Sequence, residues 1–154
     1  MADILHRITV AADPKTLFET VSSTPGTSSW WTDDNDTAPE VGNVNLFRFN
    51  GGAVQFSFRV DQSDEAHIRW TGIRGQNMPE EWLDTRIEFD FTPQADGKTL
   101  VDFRHRNWQR VSGEYPQCNT TWGLLMQRLK SAAEGHADGP FFVKGGSRIS
   151  DVHE

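Results

Sequence analysis

Between residues 43 and 108 apolar and polar side chains alternate in successive short blocks, and this alternation restricts the fold more than any other feature of the chain. Val54, Phe56, Phe58 and Val60 alternate with Gln55, Ser57 and Arg59, and Ile87, Phe89 and Phe91 alternate with Arg86, Glu88 and Asp90. A period of two places successive side chains on opposite faces, so each block reads as a strand with one buried and one wet face. That pattern belongs to antiparallel sheets. Ile68 and Trp70 fit the same scheme, as do Val101, Phe103 and His105, with Asp102, Arg104 and Arg106 pointing outward. Turn residues at Asn50-Gly51-Gly52, Ser63-Asp64 and Asp96-Gly97 join the blocks into consecutive hairpins. Val54, Phe56, Phe58, Ile87, Phe89 and Phe91 are therefore expected in the core, and Gln55, Ser57, Arg86, Glu88 and Asp90 in solvent. Residues 44–47 are apolar on both faces, and their register is left open.

The flanks of this region differ in period. Ile4, Ile8 and Val10 share one face of a first strand, and His6 falls on that face as a packing residue. Asp13-Pro14 then supplies a helix N-cap followed by proline at the first helical position. Leu17, Phe18 and Val21 give the helix an apolar stripe, and Thr24-Pro25-Gly26 breaks it before Trp30-Trp31. A second short helix ending at the tryptophans fits this stretch. Adjacent residues of one regular element cannot both face inward, so one of the two indoles is expected at the cavity mouth. Residues 32–42 are acidic and read as a solvated loop with room for a short strand. Asp33-Asp34-Asn35-Asp36 lacks the spacing and glycine of a calcium loop. Beyond Ser112-Gly113 the period becomes helical. Cys118, Trp122, Leu125 and Leu129 form one stripe flanked by Tyr115 and Met126, Pro116 sits in the first turn and Gly135 marks the stop. The last nineteen residues, with Gly139-Pro140 and Gly145-Gly146, read as irregular, with Phe141, Phe142 and Val143 able to dock on the body or on another subunit.

Composition narrows the function classes. The length of 154 residues suits one domain, and the mean hydropathy of -0.61 suits a soluble globular one. The longest apolar runs are too short to span a membrane, and the N-terminus lacks the layout of a signal peptide, so membrane insertion is not expected and the cytoplasm is the default compartment. The single cysteine, Cys118, agrees with a reducing environment. A formal net charge of -7 repels phosphate backbones, which argues against nucleic acid as a partner. Ten Phe and six Trp stand against one Tyr, so most aromatic surface is suited to apolar burial.

The order of motifs resembles a known family. Ile8-Thr9-Val10-Ala11-Ala12-Asp13-Pro14 with Phe18 behind it, the Trp30-Trp31 pair, Thr85-Arg86-Ile87-Glu88-Phe89, the run from Val101 to Trp108, and Cys118, Trp122, Leu125 and Leu129 are similar to the START-like, birch-pollen-allergen-like (SRPBCC) superfamily. The branch resembled is that of the C-terminal domain of activators of the heat-shock-protein ATPase. The resemblance implies an α+β helix-grip fold: a curved antiparallel sheet wrapped around a long C-terminal helix, with two short helices after the first strand. It places one domain at residues 1–136 and an irregular tail at 137–154. It also implies a cavity between sheet and helix for a lipid-like, aromatic or polyketide-like molecule. On the faces counted above, the candidate ligand-binding residues are Trp31, Phe56, Phe58, Trp70, Phe89, Phe103, His105, Trp108, Cys118, Trp122 and Met126, with the cavity opening near Met126. The eukaryotic activators carry a separate N-terminal domain important for chaperone engagement, for which this chain has no room, and a co-chaperone role is therefore not expected.

Motifs for chemistry are sparse. No nucleophile elbow, phosphate-cradling loop or zinc spacing occurs, and the histidines His6, His67, His105, His136 and His153 stand far apart, so no metal or cofactor is called for. Glu88 and Asp90 are explained by cross-strand pairing with arginines. His105 is the one ionisable residue counted onto the cavity face, where it is either the proton shuttle of a cyclase- or hydratase-like enzyme or a histidine held by hydrogen bonds. Cys118 reads as a small buried hydrophobe. Three readings remain: a binding module for a hydrophobic or aromatic small molecule, an enzyme using His105, and an interaction protein with a filled core that pairs, as a homodimer, through Phe141-Phe142 or an exposed tryptophan.

Overall fold

The computed structural model describes residues 2–144. The part of the tail expectation that concerns Gly145-Gly146 and beyond, and His153, lie outside the described residues. The elements in chain order are β1 (Ala2–Val10), α1 (Pro14–Ser22), α2 (Thr24–Thr27), β2 (Asn35–Asp36), β3 (Val44–Phe49), β4 (Val54–Ser63), β5 (His67–Gln76), β6 (Arg86–Pro93), β7 (Thr99–Trp108) and α3 (Glu114–Ala133). Every pairing is antiparallel, in a seven-stranded sheet of order β1-β7-β6-β5-β4-β3-β2. Only β1 is out of sequence, carried to the far edge beside β7 by the α1–α2 excursion. The sheet curves around α3, which is the helix-grip α+β architecture.

Local chemistry sets the boundaries. Asp13 Oδ1 accepts the Thr16 amide at 2.8 Å and Pro14 occupies the first turn of α1. Ser23 then caps α2 by accepting the Gly26 amide at 3.0 Å. Helix α3 ends at Ala133, and Gly135 follows with a φ of 92°, a conformation that costs glycine little. The core lies between the inner sheet face and the buried stripe of α3, Cys118, Trp122, Leu125, Met126, Leu129 and Ala133. Facing it, Ile4, His105, Ile87 and Trp70 form one cross-strand row, and His6, Phe103, Phe89 and Ile68 the next.

The faces of β6 and β7 agree with the alternation, with instructive exceptions. Glu88 points to the outer face yet is buried, because Arg104 and Arg106 on the neighbouring strand lie over it, with N···O separations of 3.2 and 3.5 Å. Ser57, also expected in solvent, is buried between its cross-strand neighbours Leu46 and Ile73 because its side chain is short. Val54 and Phe56, expected in the core, are only half buried, since α3 does not cover that end of the sheet. In β3, Asn45 and Phe47 turn inward and Val44 and Leu46 outward, which settles the open register.

The 32–42 stretch is less solvated than expected. Asn35 is buried, donating to Thr32 O at 2.8 Å and accepting from the Thr37 hydroxyl at 2.7 Å. Trp30 and Trp31 are both buried, although adjacent residues of a regular element cannot both face inward, and Trp31 also lines the pocket, as expected of one of the pair. They occupy the irregular turn after α2, where strand or helix geometry does not oppose adjacent side chains, and the C-terminal segment covers them. Phe141 N donates to Trp30 O at 3.3 Å and Phe142 N to Trp31 O at 2.9 Å. The Phe141-Phe142 pair thus docks on the body of its own chain, and Phe141 is buried.

Candidate functional site

A pocket of about 530 Å3 opens at the N-terminal half of α3, where the helix draws away from the β3–β4 hairpin. Each wall has a local origin. The hairpin turns through Asn50, Gly51 and Gly52, all at positive φ, and so brings Phe49 and Asn50 opposite Val54 and Phe56. Helix α3 offers Glu114, Gln117, Cys118, Thr121, Trp122 and Leu125, which recur at helical spacing along one face. Trp31 comes from the turn after α2, Trp82 from a 3-10 turn at Glu80–Trp82, and Phe142 from the C-terminal segment.

The aromatic rings brace one another. Phe49 meets Phe56 and Phe142 edge to face with centroids 5.2 and 4.9 Å apart, and Phe56 meets Trp82 at 4.4 Å. Trp31 stacks on Phe47 at 4.2 Å and tilts against Trp122 at 5.2 Å. Such contacts fix the ring positions, so the pocket is largely preformed.

Behind the pocket runs a buried chain of hydrogen bonds. Trp122 Nε1 donates to His105 Nδ1 at 3.1 Å, and His105 Nε2 lies 2.8 Å from Thr85 Oγ1, which donates to Trp82 O at 2.7 Å. An indole N–H can only donate, so His105 Nδ1 is the acceptor and the proton of the neutral ring sits on Nε2. Desolvation pushes the His105 pKa down to about 3. The ring is boxed by Trp82, Trp108 and Trp122, with centroids 4.7, 4.8 and 5.9 Å away. Both nitrogens are engaged and the ring does not reach the pocket, so the arrangement leaves the proton-shuttle alternative without a route.

The expected site residues divide accordingly. Trp31, Phe56, Cys118 and Trp122 line the pocket. Phe58, Trp70, Phe89, Phe103, His105, Trp108 and Met126 are buried away from it, packed where sheet and helix are in full contact. The opening expected near Met126 runs along α3 from Glu114 to Leu125, and Met126 itself is buried just beyond it. Phe49, Asn50, Val54, Trp82, Glu114, Gln117, Thr121, Leu125 and Phe142 also line it and were not among the expected site residues. Leu125 was on the helical stripe and Val54 on the alternating face, so period counting could have included both. Trp82 stands outside any periodic segment and carried no signal, and Phe142 was expected only to dock on the body or on another subunit.

Among the described residues that line the pocket only Glu114 carries a formal charge. The start of α3 has no side-chain cap of its own at Gly113. Glu81 supplies one from the 3-10 turn, accepting from the Glu114 amide at 3.3 Å and from Arg110 Nε at 3.2 Å. Among the described residues no cluster of side chains suits a metal ion, and no helix is long and apolar enough to cross a membrane.

A curved sheet gripping a C-terminal helix, with a pocket between them, defines a helix-grip domain of the START-like superfamily. Residues 11–134 match the model of the family described as activator of Hsp90 ATPase homolog 1-like protein, and the chain belongs to that family. It is 34% identical to the Aha1 of Colwellia psychrerythraea, solved as a dimer in solution; the match covers 88% of this chain and 98% of that one, with a TM-score of 0.78. Crystal structures of proteins from Mesorhizobium loti and Staphylococcus saprophyticus share the fold at 16% identity each. They cover 85% and 88% of this chain and 96% and 94% of their own, with TM-scores of 0.74 and 0.70. No curated protein matches the chain.

Proposed function

We propose that this protein is a binding module for a hydrophobic or aromatic small molecule, held in the pocket between the N-terminal half of α3 and the β3–β4 hairpin. The observation that carries the reading is the volume of about 530 Å3 walled by Trp31, Phe49, Phe56, Trp82, Trp122 and Phe142. A filled core would leave no such space, and small-molecule sites commonly occupy about 300–1,000 Å3. Residues 1–136 form the binding domain on this reading, with the following segment as its closure. A cytoplasmic location accords with the lone Cys118.

The test is a titration with the neutral fluorophore N-phenyl-1-naphthylamine. Wild type is expected to bind it with enhanced emission. Thr121→Trp, which fills the pocket from a half-buried helix position, is expected to weaken binding at least about tenfold while the protein stays folded. Absence of binding by wild type, or equal binding by a folded Thr121→Trp variant, rejects the reading.

Pairing is a second reading, favoured by the dimer of the Colwellia psychrerythraea relative. Sedimentation of the ligand-free protein across a hundredfold concentration range decides it: a concentration-independent monomer mass overturns pairing.

A further inference from the structure

Resting on the binding reading above, we propose that the pocket selects organic cations, protonated amines carried on an aromatic or alicyclic body, over neutral analogues, and neutral analogues over carboxylates. Aromatic rings attract a cation through the negative side of their quadrupole, and Trp31, Phe49, Phe56, Trp82, Trp122 and Phe142 line the pocket. Among the described residues no lysine, arginine or histidine lines the pocket, and the one wall residue with a formal charge at neutral pH is Glu114, exposed at the mouth. The remaining polar wall groups, Asn50, Gln117 and Thr121, are neutral.

The head of α3 is where an anionic ligand would otherwise find donors. That position is taken: the Glu81 carboxylate accepts the Glu114 amide at 3.3 Å and holds the neighbouring Arg110 guanidinium at 3.2 Å. Gly113 keeps this internal anion close, since a Cβ there would lie 2.6 Å from Glu81 Oε2. A carboxylate entering the pocket would lose its hydration and meet a second carboxylate at the mouth. An ammonium group would meet aromatic rings and Glu114.

The experiment is displacement of bound N-phenyl-1-naphthylamine by three molecules of one shape: 2-naphthylmethylammonium, 2-naphthylmethanol and 2-naphthoate. In 0.15 M salt the ammonium is expected to displace the probe at about a tenfold lower concentration than the carboxylate, with the alcohol between them. The order should persist in 1 M salt, where attraction to the net charge of the whole chain is screened. In Glu114→Gln the ammonium should lose at least about threefold more than the alcohol does. The inference is overturned by a carboxylate that competes as well as the ammonium, by a preference that vanishes in 1 M salt, or by three competitors that all fail while the probe binds. If the probe itself does not bind wild type, the binding reading falls and takes this one with it.

Discussion

At the scale of single residues the most constrained group is His105. Its two ring nitrogens complete a chain from the Trp122 indole through Thr85 to the Trp82 carbonyl, and this works only with a neutral ring. Protonation would put an N–H at Nδ1 against the Trp122 N–H, two donors facing one another in the buried core. The folded pKa of about 3 lies below the ordinary value of 6.5, so the unfolded chain binds the proton first. The stabilising contribution is therefore fully present above pH 6.5 and is lost as pH falls from 6.5 toward 3, at about 1.4 kcal/mol per pH unit inside that window. Between pH 7 and pH 5, urea denaturation should show wild type losing about 2 kcal/mol more than His105→Phe, whose ring does not titrate. Equal losses in the two proteins would contradict the assigned chain.

At the scale of elements, the loop between β5 and β6 builds most of this chain and one wall of the pocket. It folds back over β5 at Gly72, where the Gly72 amide donates to Thr85 O at 2.8 Å and Gly72 O accepts from the Asp84 amide at 3.0 Å. A Cβ on Gly72 would sit 2.4 Å from Trp82 O, which is backbone and cannot swing aside. Gly72→Ala is thus expected to push the Trp82 and Thr85 backbone off the sheet, breaking the bond to His105 and moving the Trp82 indole in the pocket. The cost should reach about 3 kcal/mol, well above the stabilising effect that removing a glycine has on the unfolded state. Thermal unfolding together with tryptophan emission checks this, and an unshifted spectrum with unchanged Tm would refute the close approach.

For the molecule as a whole, the segment after α3 determines how the pocket is closed. It is tied down at Gly139 O by Arg128 Nη1 at 2.8 Å, the Arg128 guanidinium lies 5.5 Å from the Phe141 ring centroid, and Phe142 bridges to Thr32. Phe141 is 1% exposed, so its ring is a core residue delivered from outside the sheet and helix. Phe141→Ala should cost about 3–5 kcal/mol, or about 10 °C in Tm for a chain of this size, and should release Phe142 from the pocket wall. Calorimetry measures the first effect; a Tm within about 2 °C of wild type would mean that the segment adds little to closure.

The alternation of Ile87, Phe89 and Phe91 and the helical spacing of Cys118, Trp122, Leu125 and Leu129 determined which faces meet, because burial of an apolar face needs only period and composition. The same is true of Asp13 and Gly135, whose capping roles depend on a few neighbouring atoms. The tertiary structure alone decided where that burial is incomplete. Val54 and Phe56 have the same alternating pattern as Phe58, yet they border a pocket because α3 packs closest to β1 and leaves the hairpin end uncovered. Glu88 reads as a surface carboxylate until Arg104 and Arg106 are laid across it. Trp82 and Phe142 enter the site from a turn and a terminal segment far apart in sequence. A void is a property of how elements are placed against one another, and no local pattern along the chain encodes the space between them.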